Sequence, residues 1–361
     1  MGGTVNVGLV GAGEISGQYL RTLRRLDGLD IVAVADLDHA RAEATARQGE
    51  GIRALSLEAL YDAEDVDVVL NLTVPHAHAE VALAAIAAGK HVYGEKPLAT
   101  TTADARLVLD AASTAGVRVG CAPDTVLGTG VQTARAHLDA GDIGRPIAAT
   151  AFMVTPGHER WHPAPEFYYR PGGGPLFDMG PYYLTTLITL LGPVRRVNGM
   201  YAAPRPSRVV HTGPRAGEEF TTQVATHVTG VLEHEEGALS TLMMSFDIWA
   251  ARLPRIEIYG TAGSLSLPDP NGFDGEVRIY REHEPMWKDV RTSAGYRGAG
   301  RGFGLADLAA SLAAGEPHRA GGDLAFHVLD VMECLLTAAG SGESVDVTSR
   351  CARPAPVPLT T

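Results

Sequence analysis

A glycine-rich turn is the first segment of the chain that could do chemistry. The residues Gly11-Ala12-Gly13-Glu14-Ile15-Ser16 directly follow a strand-like apolar run and begin a helix-like segment. Gly11 permits a tight turn, and Gly13 lets the backbone approach a pyrophosphate at the N-terminus of the following helix. Ser16 stands where the strict pattern has a third glycine, and it is small enough for close packing of helix on strand. The turn predicts a dinucleotide site, with a tight turn that binds no nucleotide as the alternative. Its predicted contacts are Gly11, Ala12, Gly13, Glu14 and Ile15.

A carboxylate follows the second strand-like run, about where dinucleotide folds hold the adenosine ribose. Asp36 can accept hydrogen bonds from the ribose hydroxyls. Together with Asp38, it would repel a 2′-phosphate. The sequence therefore predicts NAD as the cofactor, in preference to NADP.

A second motif spells the zinc-peptidase pattern H-E-x-x-H. It is His158-Glu159-Arg160-Trp161-His162, and its chemistry requires both imidazoles on one face of a helix. Pro156-Gly157 precedes the motif, and Pro163 and Pro165 follow it. Because Pro163 disfavours helical dihedrals at the residue before it, we interpret the segment as a loop that can face a substrate. No metal is predicted.

The elements that must position these residues differ along the chain. In the first third, short apolar runs alternate with Ala-rich segments, which predicts a parallel sheet covered by helices on both faces. The predicted strands are Val5–Val10, Ile31–Ala35, Val66–Leu72, His91–Tyr93 and Val117–Gly120. The predicted helices include Ile15–Leu26, Ala77–Ala88 and Ala103–Ala115. Predicted N-caps are Ser56, before Leu57–Leu60, and Thr102, and predicted C-caps are Gly89 and Gly116.

After about residue 120 the pattern changes to a loop rich in proline, glycine and aromatic residues, then one apolar helix, then strand-like runs. The runs predict neighbouring strands of a mostly antiparallel sheet. The expected elements are a helix at Leu176–Leu191, strands at Val224–Leu232, Leu239–Ile248, Ile256–Tyr259 and Val277–Tyr280, and helices at Leu305–Ala314 and Leu324–Ala339. We therefore predict an α/β chain of two domains, residues 1–122 and residues 123–361.

Composition limits the partners. The 361 residues carry 30 Lys and Arg against 42 Asp and Glu, a formal charge of −12 at pH 7, which disfavours nucleic acid and anionic membranes. The three cysteines are too scattered for a disulfide framework or a paired-cysteine metal site. No leader-like segment precedes the first strand, and Val81–Ala88 comes closest to a membrane-length apolar stretch. We expect a soluble, cytoplasmic protein.

Two further motifs, in this order after the glycine turn, carry a resemblance to a known family. Gly94-Glu95-Lys96-Pro97 ends a predicted strand, and Gly172-Gly173-Gly174-Pro175-Leu176-Phe177-Asp178-Met179-Gly180 begins the apolar helix. Over nearly its whole length the chain resembles the glucose–fructose oxidoreductase/inositol dehydrogenase/rhizopine catabolism (Gfo/Idh/MocA) family. The resemblance implies an N-terminal Rossmann domain and a C-terminal α+β domain with an open, mostly antiparallel sheet that mediates oligomerisation. It also implies hydride transfer between a nicotinamide and a carbon of a sugar, inositol or related polyol.

The resemblance also implies roles for individual residues. Lys96 would be the catalytic lysine, Pro97 a cis-proline that fixes its orientation, and Asp178 the carboxylate on the reacting hydroxyl. The family's catalytic histidine lies four residues after that aspartate, where this chain has Tyr182. Tyr182 shares a helix face with Asp178 and can still reach the site. We assign Lys96 as proton acceptor, Asp178 as its partner and substrate anchor, and Tyr182 as a residue that orients the hydroxyl or relays its proton.

Other candidates depend on position alone, and packing is the alternative for each. Residues after the fourth strand and beside the lysine are expected to contact the nicotinamide half of the cofactor; they are Asn71, Thr73, Pro75, His78, Glu95 and Lys96. Besides Lys96, Asp178 and Tyr182, residues expected to contact the substrate are Asp124, Trp161, His162 and Tyr169. His327 lies in an apolar helical pattern and is expected in the core.

Three functions remain open at this point. The first is an NAD-dependent dehydrogenase or reductase of a sugar, inositol or glycoside. The second is a redox-neutral hydrolase or lyase of glycosides, in which bound NAD is transiently reduced and regenerated. The third is an NAD-binding sensor without catalysis. A broad sheet with one uncovered face predicts a homodimer or homotetramer.

Overall fold

The computed structural model describes residues 4–360, and the chain folds into two compact units. The first unit comprises the chain up to Leu127 together with Gly298–Leu329. The second comprises Gly128–Arg297 and the chain from Asp330 onward. The sequence predicted a single boundary after residue 122, and the structure differs because a late segment returns to the first unit.

The first unit is built on a six-stranded parallel sheet, with strand order β3-β2-β1-β4-β5-β6. This confirms the predicted Rossmann arrangement. Up to residue 127 its elements are β1 (Val5–Val10), α1 (Ser16–Leu23), β2 (Leu29–Ala35), α2 (His39–Ala46), β3 (Arg53–Ala54), α3 (Leu57–Asp62), β4 (Val68–Asn71), α4 (His78–Ala87), β5 (His91–Gly94), α5 (Thr102–Ala115) and β6 (Val119–Cys121), with 3-10 turns at Pro75–Ala77 and Thr125–Leu127.

Local signals in the sequence explain most of these boundaries. Ser56 caps α3 as predicted, because its side chain accepts the N–H of Ala59 at 3.1 Å. Thr101, one residue before the predicted cap, caps α5 through the N–H of Asp104 at 3.1 Å. Gly116 ends α5 in the left-handed conformation that favours glycine.

The rest of the chain contributes a second sheet and most of the longer helices. Its elements are α6 (Thr129–Asp139), β7 (Pro146–Val154), α7 (Gly174–Leu191), β8 (Val194–Ala202), β9 (Ser207–Val209), β10 (Glu219–Thr221), β11 (His227–His234), β12 (Leu239–Ser245), β13 (Ile256–Gly260), β14 (Gly263–Leu267), β15 (Arg278–Arg281), β16 (Lys288–Asp289), α8 (Phe303–Ala314), α9 (Gly322–Ser341) and β17 (Val345–Asp346), with 3-10 turns at His158–Arg160 and Pro165–Tyr169.

The second unit contains a nine-stranded sheet in the order β16-β15-β14-β13-β7-β12-β11-β8-β17. Only the pair β12–β7 is parallel, which confirms a mostly antiparallel sheet. The expectation that β12 and β13 are neighbours was wrong, because β7 lies between them. Helix α7 packs on β7, β11 and β12 and is buried along most of its length. The strands also expose apolar side chains, among them Met200, Tyr201, Val231 and Leu239.

Helix α8 explains why the first unit takes in a late part of the chain. Leu305 and Leu308 are fully buried in one cluster with Tyr19, Leu20 and Leu23 of α1. Removing such side chains from water contributes about 25 cal/mol per Å² of apolar surface. The hydrophobic effect therefore holds this segment in the first unit.

Helix α9 is the one helix of residues 4–360 that is long and apolar enough to cross a membrane by length and composition, with a mean hydropathy of 1.3. Within the structure 56% of that stretch is buried, and Leu329, Met332 and Leu335 expose no surface. Burial of this extent is typical of a helix in a protein core. The sequence predicted a helix at Leu324–Ala339 but no membrane-length apolar stretch there, because Asp330 and Glu333 interrupt its apolar run.

Candidate active site

The candidate residues fall in both units of the chain. In the first unit, the glycine turn has the predicted form between β1 and α1. Gly11 has φ +98°, and a Cβ there would lie 2.7 Å from the backbone of Leu72. A Cβ at Gly13 would meet no described atom within 4 Å, so this part of the turn is open. The Ser16 hydroxyl donates to the carbonyl of Gly13 at 2.6 Å and closes the turn.

Asp36 at the end of β2 is tied to the same turn. One carboxylate oxygen accepts the N–H of Ala12 at 2.7 Å, and the other accepts the N–H of Asp38 at 2.8 Å. Ile15 is the N-cap residue of α1, and among the described residues no side-chain hydrogen bond caps this end of the helix. An open glycine, an uncapped helix start and a fixed carboxylate fit the pyrophosphate and ribose of a dinucleotide. Glu14 is exposed at this opening.

The loop after β4 is ordered by a buried amide. Asn71 accepts the hydroxyl of Thr73 at 2.6 Å and its N–H at 3.3 Å, and donates to the carbonyl of His78 at 3.0 Å. The ring nitrogens of His78 lie 2.6 Å from the Pro97 carbonyl oxygen and 3.0 Å from the Thr73 carbonyl oxygen. Burial lowers the pKa of His78 against the opposing effect of these carbonyls. The structure thus assigns His78 to holding the loops together, rather than to the predicted cofactor contact, since both ring nitrogens are occupied. Pro75 begins the short 3-10 turn of this loop.

Lys96 follows β5 directly and is half-buried. The preceding Glu95 is fixed at both oxygens, by the Tyr19 hydroxyl at 2.8 Å and by the N–H of Lys96 at 3.1 Å. The Lys96–Pro97 peptide bond is cis, as the resemblance implied. Lys96 is therefore held on a short, well-fixed backbone in the same unit as the glycine turn.

Asp124 has a different place from the one predicted. It exposes no surface, and one carboxylate oxygen accepts the N–H groups of Gly302 at 2.8 Å and Gly304 at 3.1 Å. Burial raises the pKa of Asp124 to about 6, against the opposing effect of Arg301 and the two N–H donors. The predicted contact with sugar hydroxyls is incompatible with this burial. Asp124 instead fixes the segment at the start of α8.

In the second unit, Asp178 lies in the first half of α7 and meets a histidine that the sequence did not assign to it. His158 Nε2 lies 2.8 Å from Asp178 Oδ2, and both side chains are largely buried, with 10% and 16% exposed. Tyr182, one turn further along α7, is also buried. The imidazole beside Asp178 therefore comes from the loop after β7, while position 182 on the helix carries a phenol.

Tyr169 holds this loop rather than a substrate. Its ring is fully buried, and its hydroxyl donates to the Glu159 carboxylate and accepts the N–H of His158 at 3.0 Å. Burial and the adjacent Glu159 raise the pKa of the Tyr169 phenol. Because no part of its ring is exposed, Tyr169 does not make the substrate contact that the sequence predicted.

Exposed aromatic rings surround the loop. Trp161 is 57% exposed and lies with its ring centroid 5.2 Å from that of His158. His162 is half-buried, and its Nδ1 accepts the N–H of Ala164 at 3.0 Å. The sequence predicted both residues as substrate contacts, and their accessible surfaces leave that prediction open.

The H-E-x-x-H segment forms a 3-10 turn, so its two histidines do not share an α-helical face. His158 pairs with Asp178, and Glu159 pairs with Arg208 at 3.0 Å. Among residues 4–360, no group of three or more His, Cys, Asp or Glu side chains is placed to hold a metal.

A parallel sheet with a glycine turn after β1 and a carboxylate after β2 defines a Rossmann unit, and the two family models that match the chain agree with it. One, described as an oxidoreductase family with an NAD-binding Rossmann fold, matches residues 5–122; the other, the GFO/IDH/MocA C-terminal domain, matches residues 131–266. The chain belongs to the Gfo/Idh/MocA family of oxidoreductases, and NAD is the cofactor of its Rossmann domain.

Curated relatives support the same membership. The chain is 32% identical to a 1,5-anhydro-D-fructose reductase from Ensifer adhaerens over 72% of its own length and 74% of that protein. It is also 32% identical to an inositol 2-dehydrogenase 3 from Saccharopolyspora erythraea, over 74% of each chain.

Solved structures share the fold over nearly the full length. An NAD-binding oxidoreductase from Klebsiella pneumoniae superposes with a TM-score of 0.83 at 25% identity, covering 96% of this chain and 99% of that one. The apo form of a levoglucosan dehydrogenase superposes with a TM-score of 0.82 at 21% identity, covering 97% and 100%.

Proposed function

We propose that this protein is an NAD-dependent dehydrogenase that oxidises a secondary hydroxyl of a sugar, an inositol or a related polyol or glycoside. The observation that carries the proposal is Lys96, a half-buried lysine on a fixed backbone after β5, in the same unit as the open glycine turn. The names of the relatives support the substrate class, since they specify an anhydro-sugar, inositol and levoglucosan.

The residues divide the work in the following way. NAD, when bound, takes the hydride from the carbon that bears the hydroxyl. The hydroxyl proton then needs an acceptor, and we assign this role to the amine of Lys96. Asp178 accepts a hydrogen bond from a substrate hydroxyl, and Tyr182 orients that hydroxyl or relays its proton. Gly13, Ala12 and Asp36 would hold the cofactor's phosphates and ribose.

The experiment is a spectrophotometric assay of nicotinamide reduction with NAD, and separately NADP, over a panel of aldoses, inositols and glycosides. We expect reduction of NAD with at least one polyol and weaker use of NADP. If NAD copurifies with the protein but no panel member reduces added NAD, the dehydrogenase assignment fails. Release of an aglycone would then indicate the redox-neutral reaction. Binding of NAD with neither outcome would indicate a sensor.

We also propose a homo-oligomer, a dimer or tetramer, in the cytoplasm. The exposed apolar side chains Val231 and Leu239 lie on adjacent strands of the large sheet and form part of a surface suited to association. Light scattering coupled to size-exclusion chromatography measures the mass directly. A mass near 38.0 kDa, that of one chain, would contradict the oligomer.

A further inference from the structure

We propose that His158 is the positioning residue for Asp178: its Nε2–H holds the carboxylate in the orientation that receives a substrate hydroxyl. The inference rests on the proposed function, because it gives Asp178 a partner in the same reaction. His158 reaches Asp178 from the loop after β7, across 20 residues of sequence.

The contact itself indicates which nitrogen carries the proton. Nε2 lies 2.8 Å from Asp178 Oδ2, and Nδ1 is buried without a hydrogen-bond partner among the described residues. A neutral imidazole has one N–H donor and one acceptor nitrogen. A proton on Nε2 makes a charge-assisted hydrogen bond, whereas a proton on Nδ1 would be buried without an acceptor. The geometry therefore favours the tautomer that donates to Asp178.

The imidazole ring is clamped by aromatic neighbours. Its centroid lies 4.4 Å from that of Tyr168, at 79°, and 4.3 Å from that of Phe246, at 44°. Trp161 closes a third side at 5.2 Å. Only 10% of the His158 side chain is exposed. A ring held on several sides loses little further freedom when it orients a partner, which is the requirement for a preorganised site.

The backbone that carries His158 is anchored by a buried ion-pair network. Glu159 Oε1 pairs with Arg208 Nη1 at 3.0 Å, and Arg208 Nη2 pairs with Asp247 at 2.6 Å. Arg205 adds a second contact, since its Nη2 donates to the carbonyl of Pro156 at 3.0 Å. These charges hold the turn to Arg205 between β8 and β9, to Arg208 in β9 and to Asp247 after β12.

Loss of the donor should lower the rate without removing the fold. In His158→Leu the charged carboxylate of Asp178 loses the hydrogen bond that His158 donates to it. We therefore expect kcat/KM to fall about ten- to hundredfold. His158→Gln places an amide N–H near the position of Nε2, and we expect it to recover most of that loss. The exposed His283 supplies the control, and His283→Gln should behave as wild type.

A double variant distinguishes positioning from a purely structural effect. If His158 acts through Asp178, then His158→Leu combined with Asp178→Asn should be no slower than Asp178→Asn alone. Independent, additive losses would overturn the proposal. NAD binding and the unfolding temperature of each variant show whether a loss of rate is a loss of folding.

Nitrogen-15 NMR of histidine-labelled protein tests the pair without any turnover. The His158 resonances, identified by their absence in His158→Gln, should show a protonated Nε2 in wild type and should move in Asp178→Asn. A proton on Nδ1, or no response to Asp178→Asn, would contradict the inference. A wild-type enzyme that oxidises no polyol defeats the proposed function, whereas an active wild type with an equally active His158→Leu defeats only the role of His158.

Discussion

The glycine turn of the first unit and the His158–Asp178 cluster of the second unit are built in opposite ways. The turn is made by backbone groups close in sequence, and side chains contribute mainly by being absent or small, as at Gly11 and Gly13. The cluster is made by side chains from distant segments, and the ion pairs of Arg208 with Glu159 and Asp247 anchor the turn that carries His158. A nucleotide phosphate can be bound by any suitably shaped backbone, whereas a carboxylate that must face one hydroxyl needs side chains that hold it.

Substitution of Lys96 should have the largest effect on the reaction rate. Lys96 lies in the first unit, where the glycine turn is made of backbone groups, but the proposed reaction depends on its side chain. Lys96→Met should lower kcat/KM about a thousandfold or more, because the hydroxyl proton loses its acceptor, while NAD affinity falls far less, since Lys96 is one of several predicted cofactor contacts. Steady-state assays and NAD fluorescence titration measure the two quantities. Lys288→Met is the matched control, since Lys288 is 54% exposed and pairs with Glu284. Equal losses in both variants would argue against a role for Lys96 in proton transfer.

Removal of Arg208 tests whether the second region depends on its buried charges. Arg208→Met leaves Glu159 buried without a cation and leaves Asp247 with Arg205 alone, which should cost about 3–5 kcal/mol of unfolding free energy. Urea unfolding followed by tryptophan fluorescence is suitable, because all three tryptophans, Trp161, Trp249 and Trp287, lie in the second unit. Arg278→Met, at an exposed ion pair, should change little. Similar small effects in both variants would show that the network does not stabilise the unit.

Asp124 makes the stability of the first unit depend on pH. Its pKa is raised from 3.8 to about 6 in the folded chain, so the folded state retains a proton that the unfolded state loses between these values. Stability should therefore fall as pH rises from about 4 to about 6, by about 3 kcal/mol for this group, and stay constant above.

The comparison with Asp124→Asn isolates that contribution. The difference in unfolding free energy, wild type minus Asp124→Asn, should decrease by about 3 kcal/mol between pH 4 and pH 7. Urea titrations followed by circular dichroism at several pH values measure it. A difference that is constant with pH, or that rises, would mean that Asp124 is not protonated on burial.

The smallest effect concerns the cofactor preference of the glycine-turn region. Asp36→Asn removes the charge that opposes a 2′-phosphate and should shift the ratio of NADP to NAD affinity by about a factor of ten. Asp30→Asn, at the other end of β2, is the control and should leave the ratio unchanged. Titration with each nucleotide gives the ratio. If the ratio of the two affinities did not change in Asp36→Asn, the adenosine ribose would not bind beside Asp36.

The contrast between the two regions also explains what the sequence could predict. Strand β1 was predicted at Val5–Val10 and lies there, because an apolar run directly before a glycine turn is a local signal. Strands β7 and β8 were not predicted: β7 begins with Pro146 and contains three alanines, which are weak strand formers, and β8 carries the polar residues Arg195, Arg196 and Asn198. The family assignment depended on local motifs and was confirmed.

Polar residues were harder to place. Asp124 and Tyr169 were predicted to contact the substrate because of their position, and both are fully buried by partners distant in sequence, Gly302 and Arg208 among them. His158 was visible within the H-E-x-x-H motif, but its partner lies on a helix 20 residues later. No periodicity or spacing encodes that pairing, since it is set by how the loop after β7 packs against α7.

Isotope labelling shows whether hydrogen passes directly from the substrate carbon to NAD. The substrate identified in the panel would be deuterated at the carbon that bears the hydroxyl, and the reduced nicotinamide analysed by mass spectrometry. One deuterium is expected in each NADH formed. Deuterium found only in the organic product or in water, with unlabelled nicotinamide, would contradict it.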